Sequence, residues 1–142
     1  MIENKEPVGI DDFKKIRTYR TDEGKALPYC DKTLLIKDVL SDGSEVLLFP
    51  RPRRFGKSLN LTMLKYFFGT KEPLFDGLKI SEYKNIMENY RDFPVVLINL
   101  KDMKFDNAKE CAAQLKKIIA KVHNAFTYLY DSPALSPLVR KR

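Results

Sequence analysis

One octapeptide combines residue types suited to phosphate chemistry: Arg51-Pro52-Arg53-Arg54-Phe55-Gly56-Lys57-Ser58. A phosphoryl group is held by converging backbone N–H donors, the positive end of a helix dipole, a lysine ammonium and, through Mg2+, a hydroxyl. Amides of Arg53, Arg54, Phe55, Gly56, Lys57 and Ser58 would form the cradle, with Gly56 letting the backbone come close. Lys57 would reach the outer phosphates and Ser58 would ligate the metal. The pattern G-x-x-x-x-G-K-[ST] is met except at its first position, where Arg51 stands for glycine and Pro52 removes a donor. The competing reading is an ordinary basic turn in which Lys57 and Ser58 only begin a helix. Arg51, Arg53 and Arg54 are open to two readings as well, guanidinium forks for phosphate or nucleic-acid backbone, or a solvated loop. With Pro52 and Phe55 interposed, the three cannot all face one ligand.

Such a loop functions between a strand and a helix, and the flanking sequence predicts both. Glu45 to Pro50 contains Val46-Leu47-Leu48-Phe49, a continuous apolar run suited to a strand buried on both faces. Lys57 to Phe68 places Leu59, Met63, Leu64 and Phe67 at helical spacing and stops at Gly69. A second buried strand is predicted at Phe93 to Ile98, preceded by a helix from Ser81 to Tyr90. Upstream, Asp11 to Arg17 predicts a short helix with Phe13 and Ile16 on one face. Asp31 would cap another, carrying Leu34, Leu35, Ile36, Val39 and Leu40 and ending at Ser41-Asp42-Gly43. The longest helix starts at Asn107, with Glu110 three residues on and an apolar face from Ala108 through Cys111, Leu115, Ile119 and Val122 to Leu129. The alternation predicts an α/β fold, a P-loop NTPase-like parallel sheet flanked by helices. Residues 1–44 are expected to form a leader and helix packing on the core, and 45–142 the first part of the main domain. Two strands are too few for such a sheet, so the chain is expected to be an N-terminal fragment whose second half is missing.

Lys and Arg number 26 against 19 Asp and Glu in 142 residues, a net charge of +7 that favours polyanionic partners. A hydrophobic content of 44% with only 6 Gly and 8 Pro excludes a disordered or collagen-like chain. Cys30 and Cys111 form no CxxC pair and His123 is the sole histidine, which leaves neither a zinc knuckle nor a disulfide framework. The N-terminus lacks the apolar core of a secretory signal, and no apolar run approaches the ~20 residues of a membrane span. A soluble, cytoplasmic protein with no membrane contact is expected. Tyr66, Phe67, Phe68, Tyr128 and Tyr130 offer base stacking as one reading, but their helical spacing favours packing.

Three blocks resemble the AAA-ATPase-like family: Pro7-Val8-Gly9-Ile10-Asp11-Asp12-Phe13-Lys14-Lys15-Ile16, Tyr29-Cys30-Asp31-Lys32-Thr33-Leu34-Leu35-Ile36, and Arg51 through Leu59. Leu64-Lys65-Tyr66-Phe67-Phe68 and Leu74-Phe75-Asp76-Gly77-Leu78 continue the resemblance. It implies ATP and Mg2+ as ligands, with Gly56, Lys57 and Ser58 as the site, Arg53, Arg54 and Phe55 as loop backbone, and Ser58 on the metal. Under it, the missing first glycine is a family trait. The resemblance also implies that a C-terminal PD-(D/E)XK nuclease-like domain often follows, through which nucleic acid would be a partner. Asp31 and Lys32 would lie beside the nucleotide or serve as helix cap and solvated lysine, and Gly9, Asp11 and Phe13 would pack near the base or ribose. Hydrolysis further needs an acid at the end of a neighbouring strand and a group orienting water. Phe93 to Leu100 ends without one, and Asp102 reads as a loop charge. The acidic strand is implied to lie beyond Arg142, so this chain alone is expected to be inactive as an ATPase. The alternative is a basic nucleic-acid or partner-binding module with a degenerate loop that uses no nucleotide.

Overall fold

Helix α1 spans Phe13–Thr18 because Asp12 caps it, its carboxylate accepting from the Lys15 N–H at 3.0 Å. In the computed structural model, which describes residues 10–91, 93–100 and 107–128, α2 covers Leu34–Ser41 and α3 Lys57–Gly69. A short 3-10 helix at Lys79–Glu82 and α4 at Lys84–Asn89 follow, then α5 at Ala108–Ala125. The chain divides into two units, Met1–Val95 and Val96–Arg142.

The first unit is built on aromatic packing. Phe13 and Ile16 of α1, Ile36 of α2, and Met63 and Phe67 of α3 are buried with Leu27, Leu74, Phe75, Leu78 and Ile80. Phe75 is the hub: Phe13 stacks on it with ring centroids 5.0 Å apart, and Phe67 meets it edge-on at 5.1 Å. Two arginines fasten the turn that carries Phe75. Arg17 donates to the Leu74 and Asp76 carbonyls, each at 2.8 Å, and Arg91 donates to those of Thr70 and Glu72. The Arg91 guanidinium also lies over the Phe67 and Phe75 rings, 5.8 and 5.7 Å from their centroids. Between α1 and α3, Thr62 Oγ1 accepts from the Phe13 N–H at 3.0 Å and Tyr66 donates to Asp12.

Asp31 does not cap α2, whose N-cap is Thr33. Its carboxylate instead accepts from the Thr33 N–H and hydroxyl at 2.9 and 2.7 Å, and its other oxygen accepts from the Lys79 N–H at 2.8 Å. Thr33, fully buried, accepts in turn from the Ile80 N–H. Asp31 therefore ties the start of α2 to the 3-10 helix, and its functional reading beside a ligand is replaced by this structural one. Burial pushes its carboxyl up, but the hydrogen bonds from Lys79 and Thr33 outweigh that and hold it below the usual carboxylate range. A carboxyl depressed in the folded state contributes stability that is present above its unfolded pKa and lost as pH falls through the folded value. Stability should thus drop below about pH 4, and Asp31→Asn should remove part of that drop while costing about 1–2 kcal/mol at pH 7. Urea midpoints for both proteins at pH 7 and pH 3 check this.

The expected P-loop NTPase-like parallel sheet is not present among the described residues. Among the described residues there is no strand; an isolated antiparallel bridge joins Arg20 and Ala26. Glu45 to Pro50 and Phe93 to Ile98 form no ladder, and the burial assumed for them is absent: Val46 is 83% and Leu48 86% exposed. An apolar run states a preference for burial, whereas a strand also requires a partner for its backbone groups, which a single segment does not supply. The helix predicted over Ser81 to Tyr90 starts earlier and is broken at Tyr83 into the 3-10 turn and α4.

In the second unit, Asn107 caps α5 as its sequence predicts, accepting from the Glu110 N–H at 2.8 Å. The helix ends at Ala125, and none of its residues is buried. Its apolar face is therefore not a core face among the described residues, with Ile119 57% exposed. Leu129 and the stop at Asp131-Ser132-Pro133 lie outside the described residues, as does Tyr130. Among the described residues no helix is long and apolar enough to cross a membrane.

Candidate functional site

The basic octapeptide forms a loop that runs into α3. Arg53 and Arg54 make a turn in which Arg54 takes a φ of 66°, and Gly56, the N-cap of α3, a φ of 71°. Two left-handed residues within three positions wind the backbone tightly, and for the non-glycine Arg54 this conformation costs about 1–2 kcal/mol. A methyl group at Gly56 would meet no atom within 4 Å, so glycine is needed there for its φ and not for space. Gly56→Ala should accordingly lower stability by about 1–2 kcal/mol through backbone strain alone, read as a shift in the urea midpoint with helix content unchanged.

Lys57, the first residue of α3, folds back over the loop. Its ammonium donates to the Arg51 carbonyl and, at 3.2 Å, to that of Pro52. An ammonium has three donors, so two are satisfied by the loop and one is left for an outside acceptor. No side chain caps α3, and its first-turn amides face the loop side with the dipole's positive end. Ser58 is exposed on that first turn. Among the described residues none of Arg51, Arg53, Arg54 and Lys57 is ion-paired to a carboxylate.

A cavity of about 460 Å3 opens beside the loop, between α2 and α3. Lys57, Asn60, Leu61 and Leu64 line it from α3, the spacing of one helix face. Leu34, Leu35 and Asp38 line it from α2, with Lys32, Leu47, Phe49 and Arg51 completing the wall. Of the residues named from sequence, Lys57 faces this cavity, whereas Arg53, Arg54, Phe55 and Ser58 do not line it. Lys32, exposed, also lines it, while Phe13 is core, and Asp11 uses its carbonyl to accept from Thr62. Gly9 and Asp102 lie outside the described residues. Asp38 and Asn60 were not singled out by sequence, although each sits at i+3 or i+4 from a residue that was flagged, Leu34 or Leu35 and Lys57.

The remaining candidates carry no chemistry of their own. Among the described residues no cluster of three or more His, Cys, Asp or Glu could hold a metal ion. Cys30 and Cys111 are unpaired thiols, as the sequence implies. Tyr66 and Phe67 are packing residues, whereas Tyr128 is 60% exposed and leans on Phe126 at 6.1 Å.

Comparison with known proteins adds one relative and one family. A protein of Azotobacter chroococcum mcd 1, described as an uncharacterized protein in the vnfD 5′ region, is 43% identical over 82 residues. The matched stretch is 58% of this chain and 15% of that protein, so the chain spans a small part of the relative's length. No solved structure matches. The sequence pattern of the family described as "Predicted AAA-ATPase" matches residues 7–140, which takes in the leader, the loop, both helices of the cavity and α5. With nearly its whole length matched, the chain belongs to the AAA-ATPase-like family.

Proposed function

We propose that the chain binds ATP together with Mg2+ through the loop of residues 51–58. The observation that carries this reading is Lys57: its ammonium is anchored by two loop carbonyls at the mouth of a cavity that Lys32 and Arg51 also line. That arrangement fixes a positive charge where the uncapped first turn of α3 presents its amides, the combination that suits a polyphosphate. The donor set fits the group. Backbone N–H groups of Arg53 through Ser58 and the third Lys57 donor would hold phosphate oxygens, and the exposed Ser58 hydroxyl would take a place on Mg2+. Bound Mg2+ supplies neutralisation of charge on the phosphates. Gly56 and Arg54 keep the loop wound so that its amides converge.

Binding is the activity these residues support. Ser58 is the hydroxyl the loop offers the metal, and hydrolysis further requires an acid on the metal and a group that orients water. A second reading rests on Arg53 and Arg54, which are exposed and do not line the cavity, and which suit a nucleic-acid backbone.

Calorimetric titration with ATP in the presence of Mg2+, set beside titration with duplex DNA and single-stranded RNA across a salt series, separates the two. Saturable one-to-one nucleotide binding is expected. No nucleotide binding, together with nucleic-acid binding that weakens steeply with salt, would replace the first reading by the second.

A further inference from the structure

We propose that the cavity between α2 and α3 receives the adenine ring of the nucleotide, with the Asp38 carboxylate accepting a hydrogen bond from its exocyclic amine. This rests on the nucleotide reading of the loop and adds to it the group that selects the base. Lys57 lines the same cavity that Asp38 does, so a ligand whose phosphates meet Lys57 extends into it. Its size, about 460 Å3, falls within the range of small-molecule sites. Leucines from both helices, with Leu47 and Phe49, make much of the lining apolar, which suits a flat aromatic ring better than a hydroxylated sugar.

The charges in the lining are sorted by what they can bind. Lys32, Arg51 and Lys57 are cations suited to phosphate, while Asp38 is the sole acid in the lining and would repel it. The Asp38 carboxylate is exposed, and among the described residues it has no hydrogen bond or ion pair, which leaves it open to a ligand's donor. An ionised carboxylate accepts and does not donate. On the face it shares with Leu34 and Leu35, it offers an acceptor to a ring that carries an amine and faces oxygen against oxygen with a ring that carries a carbonyl there.

Inosine triphosphate differs from ATP at that position, carrying a carbonyl oxygen in place of the amine. Titrated separately in Mg2+ buffer, ATP should bind the wild-type chain about 10-fold more tightly than inosine triphosphate, the worth of a hydrogen bond to a charged acceptor that water also reaches. Asp38→Asn, whose amide both donates and accepts, should bring the two affinities within about 3-fold of each other. The 2′-deoxy form of ATP should bind the wild type like ATP. Equal binding of ATP and inosine triphosphate by the wild type overturns the base assignment while leaving the loop reading intact. So does discrimination against the 2′-deoxy form alone, which would put Asp38 on the sugar. Absence of binding by any of the three overturns the loop reading and this proposal with it. The wild-type comparison decides the matter even if Asp38→Asn does not fold.

Discussion

Lys57→Ala should weaken the binding of ATP with Mg2+ by about 10- to 100-fold, the loss expected when a charged donor to phosphate is removed. The variant should keep its helix content and urea midpoint within about 0.5 kcal/mol, because Lys57 is exposed and its two partners are loop carbonyls that water can reach. Lys57→Arg provides the sharper comparison. It keeps the charge, but a planar guanidinium cannot sit between the Arg51 and Pro52 carbonyls as a compact ammonium does. Incomplete recovery of affinity is therefore expected, whereas full recovery would mean that charge alone matters. Should Lys57→Ala weaken nucleotide binding no more than Arg53→Ala does, the site-specific role of Lys57 is wrong. If the change instead lowers the salt slope of nucleic-acid binding by about one, Lys57 is one more backbone-binding cation.

Phe75→Ala should be the most damaging single change to the first unit, costing about 3–5 kcal/mol. Phe75 is fully buried and holds Phe13 of α1 and Phe67 of α3 at once, with the Arg91 guanidinium above it. Its removal leaves a void bordered by elements from three parts of the chain, each fixed by the turn that Arg17 and Arg91 hold. Domains of this size are stable by about 5–15 kcal/mol, so the variant should be partly unfolded at room temperature or lose most of its cooperative melting transition. Phe55→Ala is the control. Phe55 is exposed in the basic loop, and its loss should move the midpoint by no more than about 0.5 kcal/mol.

Local signals in the sequence were reliable where the physics is local. Asn107 with Glu110 predicts the start of α5 correctly, and the run from Lys57 to the glycine at 69 predicts α3 at both ends, whereas α5 ends at Ala125, short of the expected Leu129. The helix opening after Gly56 was legible in the same way, whereas the left-handed backbone at Arg54 and Gly56 was not read from the sequence. What failed was burial inferred from composition. Val46, Leu48 and Ile98 are apolar and exposed, because whether an apolar segment is covered depends on pairing with residues far along the chain. Asp31 misled for a related reason: a capping residue by position, it is held by the amide of Lys79, 48 residues on. Asp38 and Asn60 were invisible because α2, α3 and the segment with Leu47, Phe49 and Arg51 together line the cavity, and none of these predicts the others' place.

The ties between α1 and the turn at residues 74–80 have a consequence for biosynthesis. Thr62 and Phe75, which hold Phe13, and Leu74 and Asp76, which hold Arg17, lie some fifty to sixty residues downstream. A ribosome adds about 5–20 residues per second, so α1 emerges several seconds before Phe75 exists to receive it. Through that interval Phe13 has its edge-on contact with Tyr29 but lacks the ring that stacks on it in the finished core. Arrested chains ending shortly before Leu74 should stay protease-sensitive throughout, and those long enough to expose Ile80 should be the first to acquire a resistant core.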